Sequence, residues 1–407
     1  MMSGIATGAK PQSTSAAAQS GSDALVRCAR LIADQAPAAA SLARIESMTQ
    51  FLAALDEFAR AHGIVLDADD REQVLAGRRI DRVELRHAWS LPARRGWLPV
   101  GVEFGVGGVE LVWACGAARA GDSFYEQAVQ SLRLRPLNRL FSVRTPLSEE
   151  FIAALAADAL PLRGLIFHMS RCGSTLIAQG LKAWPGVRVI SEPGVLDTAI
   201  MLAASGYDAD WKVFRGVLSA LSQPAGNDES VVIKTDAWHA LALAPLLERA
   251  RVPWLFAYRD PVEVLVSHAR EPGRHTVSGM LPEAWFGGAG PDGVPLPPID
   301  YAARALGAIC ASIVAHAHTG TLVNYSELPQ ALQTRVPSLF GLDPQHVDRN
   351  VFASILALDA KRPYEKFSDD RAAKQEAAGA ALRDAAAKWI APHYASLERI
   401  RLGVEAG

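Results

Sequence analysis

Leu165-Ile166-Phe167-His168-Met169-Ser170-Arg171-Cys172-Gly173-Ser174-Thr175-Leu176 is an apolar run that ends in a small, polar, arginine-bearing turn and resumes with helical spacing. It reads as a strand, a phosphate-cradling loop and the start of a helix. The first backbone N–H groups of a helix have no intrahelical partner and carry the positive end of its dipole. Two hydroxyls and a guanidinium beside them make an anion site.

The nucleotide-triphosphatase loop, G-x-x-x-x-G-K-[ST], sets a lysine directly before the hydroxyl residue that ligates magnesium. Here Gly173 runs straight into Ser174 and Thr175, the basic residue is Arg171, and Gly164 lies too far upstream to be the first glycine. Arg-x-Gly-Ser-Thr after a strand resembles instead the loop of sulfotransferases, which holds the 5′-phosphosulfate of 3′-phosphoadenosine-5′-phosphosulfate (PAPS). The resemblance implies that Arg171, Cys172, Gly173, Ser174 and Thr175 contact this donor.

A second strand-to-helix junction follows at Val252-Pro253-Trp254-Leu255-Phe256-Ala257-Tyr258 and Arg259-Asp260-Pro261-Val262-Glu263-Val264-Leu265-Val266-Ser267-His268. Asp260 suits the N-cap, Pro261 the first helical position, and Glu263 the place from which a carboxylate reaches back to a free N–H. Arg259 and Ser267 resemble the 3′-phosphate-binding pair of the same family, a guanidinium fork and a hydroxyl for phosphate oxygens. Val323-Asn324-Tyr325-Ser326-Glu327-Leu328-Pro329, followed by Leu339-Phe340-Gly341-Leu342, is similar to the tyrosine-bearing segment that precedes the family's C-terminal helices.

Strands expected near 164–168, 187–191, 230–234, 253–258 and 320–324 alternate with helical segments. This is the pattern of an α/β fold with a mainly parallel sheet covered on both faces. The resemblance implies the P-loop-like sulfotransferase form of it over residues 160–402. Ligands of such sheets bind beyond the carboxyl ends of the strands, where Arg171, Glu192, Lys234 and Arg259 all fall. For an acceptor base the candidates, in order, are Glu192, Asp236 and His239. Glu192 stands 21 residues after Arg171, a separation similar to that of the catalytic glutamate in tyrosylprotein sulfotransferases, and Pro193 favours an extended backbone for it. Asp236, in Lys234-Thr235-Asp236, occupies the slot where cytosolic members carry histidine. Lys234 matches the family lysine that faces the leaving phosphate, so the catalytic set is Glu192, Lys234, Asp236 and Arg171. No Arg-Lys-Gly-x-x-Gly motif follows Tyr325, and Lys361-Arg362-Pro363-Tyr364-Glu365-Lys366-Phe367 offers basic contacts in its place. The Ala-rich stretch from Asp370 to Trp389 reads as one packed amphipathic helix.

The chain has 407 residues, 50% of them apolar, enough for one α/β domain and a smaller unit. A net charge of −2 excludes a global pull toward nucleic acid. Cys28, Cys115, Cys172 and Cys310 stand too far apart for a zinc or disulfide framework, so no metal is expected and a reducing cytoplasm is. Residues 1–22, rich in Ala, Ser and Gly, read as a disordered tail, and no segment has the length of a membrane span.

Residues 23–150 read as an α+β unit. Two helices break near Pro37, a hairpin turns at Gly107-Gly108, and a linker follows near 145–160. Arg78, Arg79, Arg82 and Arg86 fit a solvated helix face balanced by Asp81 and Glu84 better than a binding patch. His87, Trp89 and Trp97 read as packing residues. The resulting expectation is a PAPS-dependent sulfotransferase that needs no metal. A P-loop kinase or NTPase and a catalytically inactive nucleotide-binding protein are the alternatives. The acceptor, a hydroxyl compound that is a small molecule, glycan, lipid or peptide, is not specified by the sequence. Oligomeric state is equally open, a homo-oligomer among the options.

Overall fold

The computed structural model describes residues 23–84, 94–105, 107–116, 123–286, 294–359 and 370–404. The N-terminal unit begins with helices Asp23–Asp34, Ala36–Ala43, Met48–Ala61 and Ala68–Leu75. The break expected near Pro37 falls at Gln35, with the proline in the first turn of Ala36–Ala43, where its missing N–H costs nothing; the stretch after it, read as one helix, is two, Ala36–Ala43 and Met48–Ala61. A four-stranded mixed sheet follows from β1 (Ile80–Glu84), β2 (Trp97–Gly105), β3 (Gly108–Cys115) and β4 (Phe141–Pro146), in the order β1-β4-β3-β2. The hairpin lies where the paired glycines set it, with Gly108 at φ +117°.

Residues 80–84, read as part of a charged helix face, form a strand parallel to β4, and β4 was not legible either. Both are short and arginine-interrupted, so pairing with neighbours rather than local pattern makes them strands. Arg79 bonds Ser142 Oγ at 3.0 Å, and Arg94 is buried against Asp158 and Gln223, so these two do not form a patch. Trp97 is buried, as expected. The side chains of Arg82 and Arg86, together with His87 and Trp89, lie outside the described residues, as do the tail and Lys361–Phe367.

The second sheet holds β5 (Leu162–His168), β6 (Val187–Ser191), β7 (Ser230–Lys234), β8 (Trp254–Tyr258) and β9 (Thr321–Asn324), all parallel, in the order β6-β7-β5-β8-β9. These are the five strands expected, within two residues at each end. Its central strands are apolar without alternation because both faces are covered by helices. Leu165, Ile166, Phe167, Val231, Val232, Ile233, Leu255, Phe256 and Ala257 are all buried. Ser148 caps the helix Glu149–Asp158 that joins the units, its Oγ accepting from Phe151 N–H at 3.1 Å. One apolar core runs through both sheets, from Leu25 to Leu397.

After β5 the chain moves toward β6 on one side, and after β8 toward β9 on the other. A crevice opens where neighbouring strands send their connections in opposite directions, here between the carboxyl ends of β5 and β8. No described helix is long and apolar enough to cross a membrane.

Gly164 lets β5 pass under the C-terminal segment. A Cβ there would stand 2.3 Å from Phe340 Cε1 and 2.7 Å from the Pro253 carbonyl oxygen. Gly164→Ala should therefore lower the unfolding free energy by about 1–3 kcal/mol, read as a lower midpoint in urea denaturation. Gly63→Ala, which meets no neighbour within 4 Å, should lose only what its positive φ imposes.

Candidate functional site

Beyond β5 the chain bends through Ser170 at φ +72°, Arg171 at +50° and Gly173 at +83° before the helix Ser174–Leu181. Two consecutive non-glycine residues in the left-handed region cost on the order of 1–2 kcal/mol each, and such strain clusters at ligand sites. His168 fixes the turn: its Nδ1 accepts from Ser170 N–H at 3.0 Å. Gly173 is required twice, by its φ and because a Cβ would come within 2.8 Å of Tyr325 and Leu328. No side chain caps the helix start, so its first N–H groups are left for an anion. Ser174 and Thr175 are buried on the same wall, and Cys172 is a packing residue whose Sγ–H points at Ala257 O, 3.0 Å away. The Arg171 guanidinium rests on the carbonyl and carboxylate of Glu271, both at 2.8 Å.

The loop lines a cavity of about 870 Å³, large enough for a nucleotide. Arg259, Ser267, Glu192, Asp236 and Tyr325 border the same cavity, so the fold brings residues of four strand ends together; Lys234, expected to face the leaving group there, is instead wholly buried behind Glu192 and does not border it. Asp260 caps its helix as expected, Oδ1 accepting from Val262 and Glu263 N–H at 3.0 and 3.1 Å. Glu263 does not reach back to the helix start; its Oε2 takes Arg259 Nε at 2.6 Å, the stronger, charge-assisted bond. Ser267 Oγ donates to Glu263 O at 2.9 Å.

Arg259 lies over the Tyr325 ring, 3.9 Å from its centroid, and its other branch holds Asp370 at 2.7 Å. Lys374, buried, takes the second oxygen of Asp370 at 2.6 Å. Two cations therefore converge on one carboxylate at the cavity wall. Sequence reading missed this pair because 370–389 looked like a single packed helix. The segment is in fact two helices, Arg371–Ala377 and Ala380–Trp389, parted near Gly379.

On the other side, Glu192 Oε1 takes the ammonium of Lys234, which is wholly buried, and lies 3.3 Å from His168 Nε2. Because His168 Nδ1 is an acceptor, Nε2 carries the proton, which also serves Thr235 O at 2.9 Å. Burial, then the Lys234 charge, pushes the His168 pKa down, so the ring is neutral. Burial works against ionisation of Glu192, but Lys234 and His168 outweigh it and hold the carboxyl well below the usual range. Burial and the neighbouring Glu192 charge push Asp236 the opposite way.

Glu192 is not extended. Its φ is +52° and its N–H bonds Lys234 O at 2.7 Å, so strand pairing and the ion pair override the preference that proline imposes. His239 lies behind the wall, fully buried, with Nδ1 accepting from Asp236 N–H at 3.2 Å and Nε2 2.9 Å from Asp197. It fixes Asp236 and does not border the cavity. His168, at the end of the opening apolar strand, is the functional residue that the sequence signalled most plainly and that reading passed over.

Among the described residues no group of three or more His, Cys, Asp or Glu side chains is placed to hold a metal ion. Compared with known proteins, the chain matches no family model, and no curated protein is significantly similar to it.

The ion pair predicts a pH dependence. A carboxyl whose folded pKa is depressed contributes stability that is present above its unfolded value, roughly 4.3, and is lost as pH falls through the folded value. Wild-type protein should therefore lose stability progressively below about pH 4.3. Lys234→Met should be less stable at pH 7, by about 3–5 kcal/mol, and should lose less on acidification. Urea midpoints from pH 3 to 7 read both effects.

Proposed function

We propose that the protein is a sulfotransferase that moves a sulfuryl group from PAPS to a hydroxyl-bearing acceptor. The observation that carries this reading is one cavity at the crevice between β5 and β8, lined at once by the Arg171 loop, by Arg259 with Lys374, and by Glu192, which a buried Lys234 holds from behind. A donor with two separate anionic ends asks for two anion sites. The carboxylate of Asp370, about half exposed, already sits where Arg259 and Lys374 would grip phosphate oxygens, and a phosphate offers those cations more charge and more acceptors.

In the transfer the acceptor oxygen forms a bond to sulfur as the bond to the 5′-phosphate oxygen breaks, and the acceptor proton passes to Glu192. Positioning and positive charge supply most of the acceleration in such reactions. Glu192 is ionised at neutral pH and so ready to accept, yet the Lys234 ammonium makes it a weak base. Charge that grows on the leaving phosphate is met by the Arg171 loop and the free N–H groups of its helix, while the buried Lys234 ammonium keeps the carboxylate oriented. His168 holds the carboxylate in place meanwhile. Asp236, raised by burial, stands beside Glu192 as the second base candidate.

A kinase reading lacks the lysine of the triphosphate loop, and turnover separates the transferase from a nucleotide-binding protein of the same fold. Transfer of radiolabelled sulfuryl from PAPS to a panel of alcohols, phenols and sugars tests the reading. Glu192→Gln should slow transfer by a factor of about 10²–10⁴ while nucleotide affinity stays within a few-fold. Arg259→Ala should weaken nucleotide binding by roughly tenfold to a hundredfold. Nucleotide binding without transfer to any acceptor would favour the inactive protein, and full activity in Glu192→Gln would remove Glu192 from the chemistry.

A further inference from the structure

The cationic end of the cavity around Arg259 is filled by a group of the chain itself. Asp370 Oδ1 takes the Arg259 guanidinium at 2.7 Å, and Oδ2 takes the Lys374 ammonium at 2.6 Å. All three residues border the cavity, but they are not held alike. The Arg259 side chain is 5% exposed, with its Nε fixed on Glu263 Oε2 at 2.6 Å and its face on the Tyr325 ring. Lys374 is 9% exposed. Its helix, Arg371–Ala377, is pinned by Gln375, whose Nε2 donates to Asp260 Oδ1 at 2.9 Å.

The Asp370 side chain, by contrast, is 46% exposed. It stands just before that helix, yet its carboxylate caps none of the helix N–H groups. Among the described residues the two cations alone hold it. A half-exposed carboxylate in this position can turn out to water while the backbone and both cations stay in place. It also has to do so if a phosphate is to enter, since like charges at contact distance repel. Two buried cations in an empty pocket would destabilise the fold, and Asp370 keeps them charged and aimed until a ligand comes. The consequence is competition, because apparent affinity falls with the fraction of molecules whose site is open.

We propose that Asp370 is a built-in competitor for the 3′-phosphate of the donor. It holds Arg259 and Lys374 in the free protein, swings out when PAPS binds, and takes both cations back as the bisphosphate product leaves. The proposal rests on the sulfotransferase reading of the cavity and concerns the regulation of that site: the carboxylate weakens nucleotide binding and speeds product release. A nucleotide without a 3′-phosphate leaves it where it is.

Asp370→Asn and Asp370→Ala, made in the full chain, test this by calorimetry and stopped-flow release. The ligands are 3′,5′-bisphosphoadenosine and AMP, which lacks the 3′-phosphate. Both variants should bind the bisphosphate about tenfold more tightly and release it more slowly, with AMP affinity within twofold of wild type. Because the buried cations lose their partner, the ligand-free variants should have lower urea midpoints than wild type. The same concentration of bisphosphate should then raise their midpoints by more. A carboxylate that is only structural predicts a different pairing, lower stability together with unchanged or weaker binding, and that result would overturn the proposal. Equal tightening of AMP would do the same, by assigning the effect to removed charge in general. Should the bisphosphate bind none of the three proteins, the donor reading fails, and inorganic pyrophosphate decides the proposal. Tighter binding of pyrophosphate to Asp370→Asn than to wild type is expected, and equal or undetectable binding would contradict it.

Discussion

A fully buried lysine ammonium is the constraint around which the carboxyl end of the parallel sheet is arranged. Lys234 ends β7, Glu192 follows β6 and His168 ends β5, so one cluster of three side chains ties three neighbouring strands at the edge of the crevice. An isolated ammonium at zero exposure would be driven neutral. Glu192 prevents this, and turns through a left-handed φ to do so. His168 binds the cluster to the anion loop through Ser170 N–H and to β7 through Thr235 O. The loop's strained turn and the ion pair are therefore one construction. A site that holds its charges this way meets a reacting group without reorganising.

The two halves of the crevice differ in sign. Around the Arg171 loop, Arg259 and Lys374 the wall is cationic. Around Asp236, Asp197 and Glu126 it is anionic. Glu192 lies on the border, with a cation behind it.

How much of this was legible depended on the kind of signal. The five parallel strands could be placed because runs such as Val231-Val232-Ile233 and Leu255-Phe256-Ala257 are apolar throughout, as strands buried on both faces must be. The loop and the Arg259 helix carried their own local chemistry: Gly173 before two hydroxyls, and Asp260 before Pro261. What stayed hidden depended on distant partners. Strands β1 and β4 exist through pairing across some sixty residues, Lys374 acquires meaning only beside Arg259, and Glu126 reaches Gly194 from another unit. The proline rule misjudged Glu192 because a tertiary ion pair outweighed a local preference.

The most direct measurement is calorimetric titration of the protein with 3′,5′-bisphosphoadenosine, set against ATP with and without magnesium. The account predicts tight binding of the bisphosphate that is indifferent to magnesium, and weak binding of ATP under either condition. A preference for magnesium-ATP would contradict it and return the Arg171 loop to phosphoryl transfer.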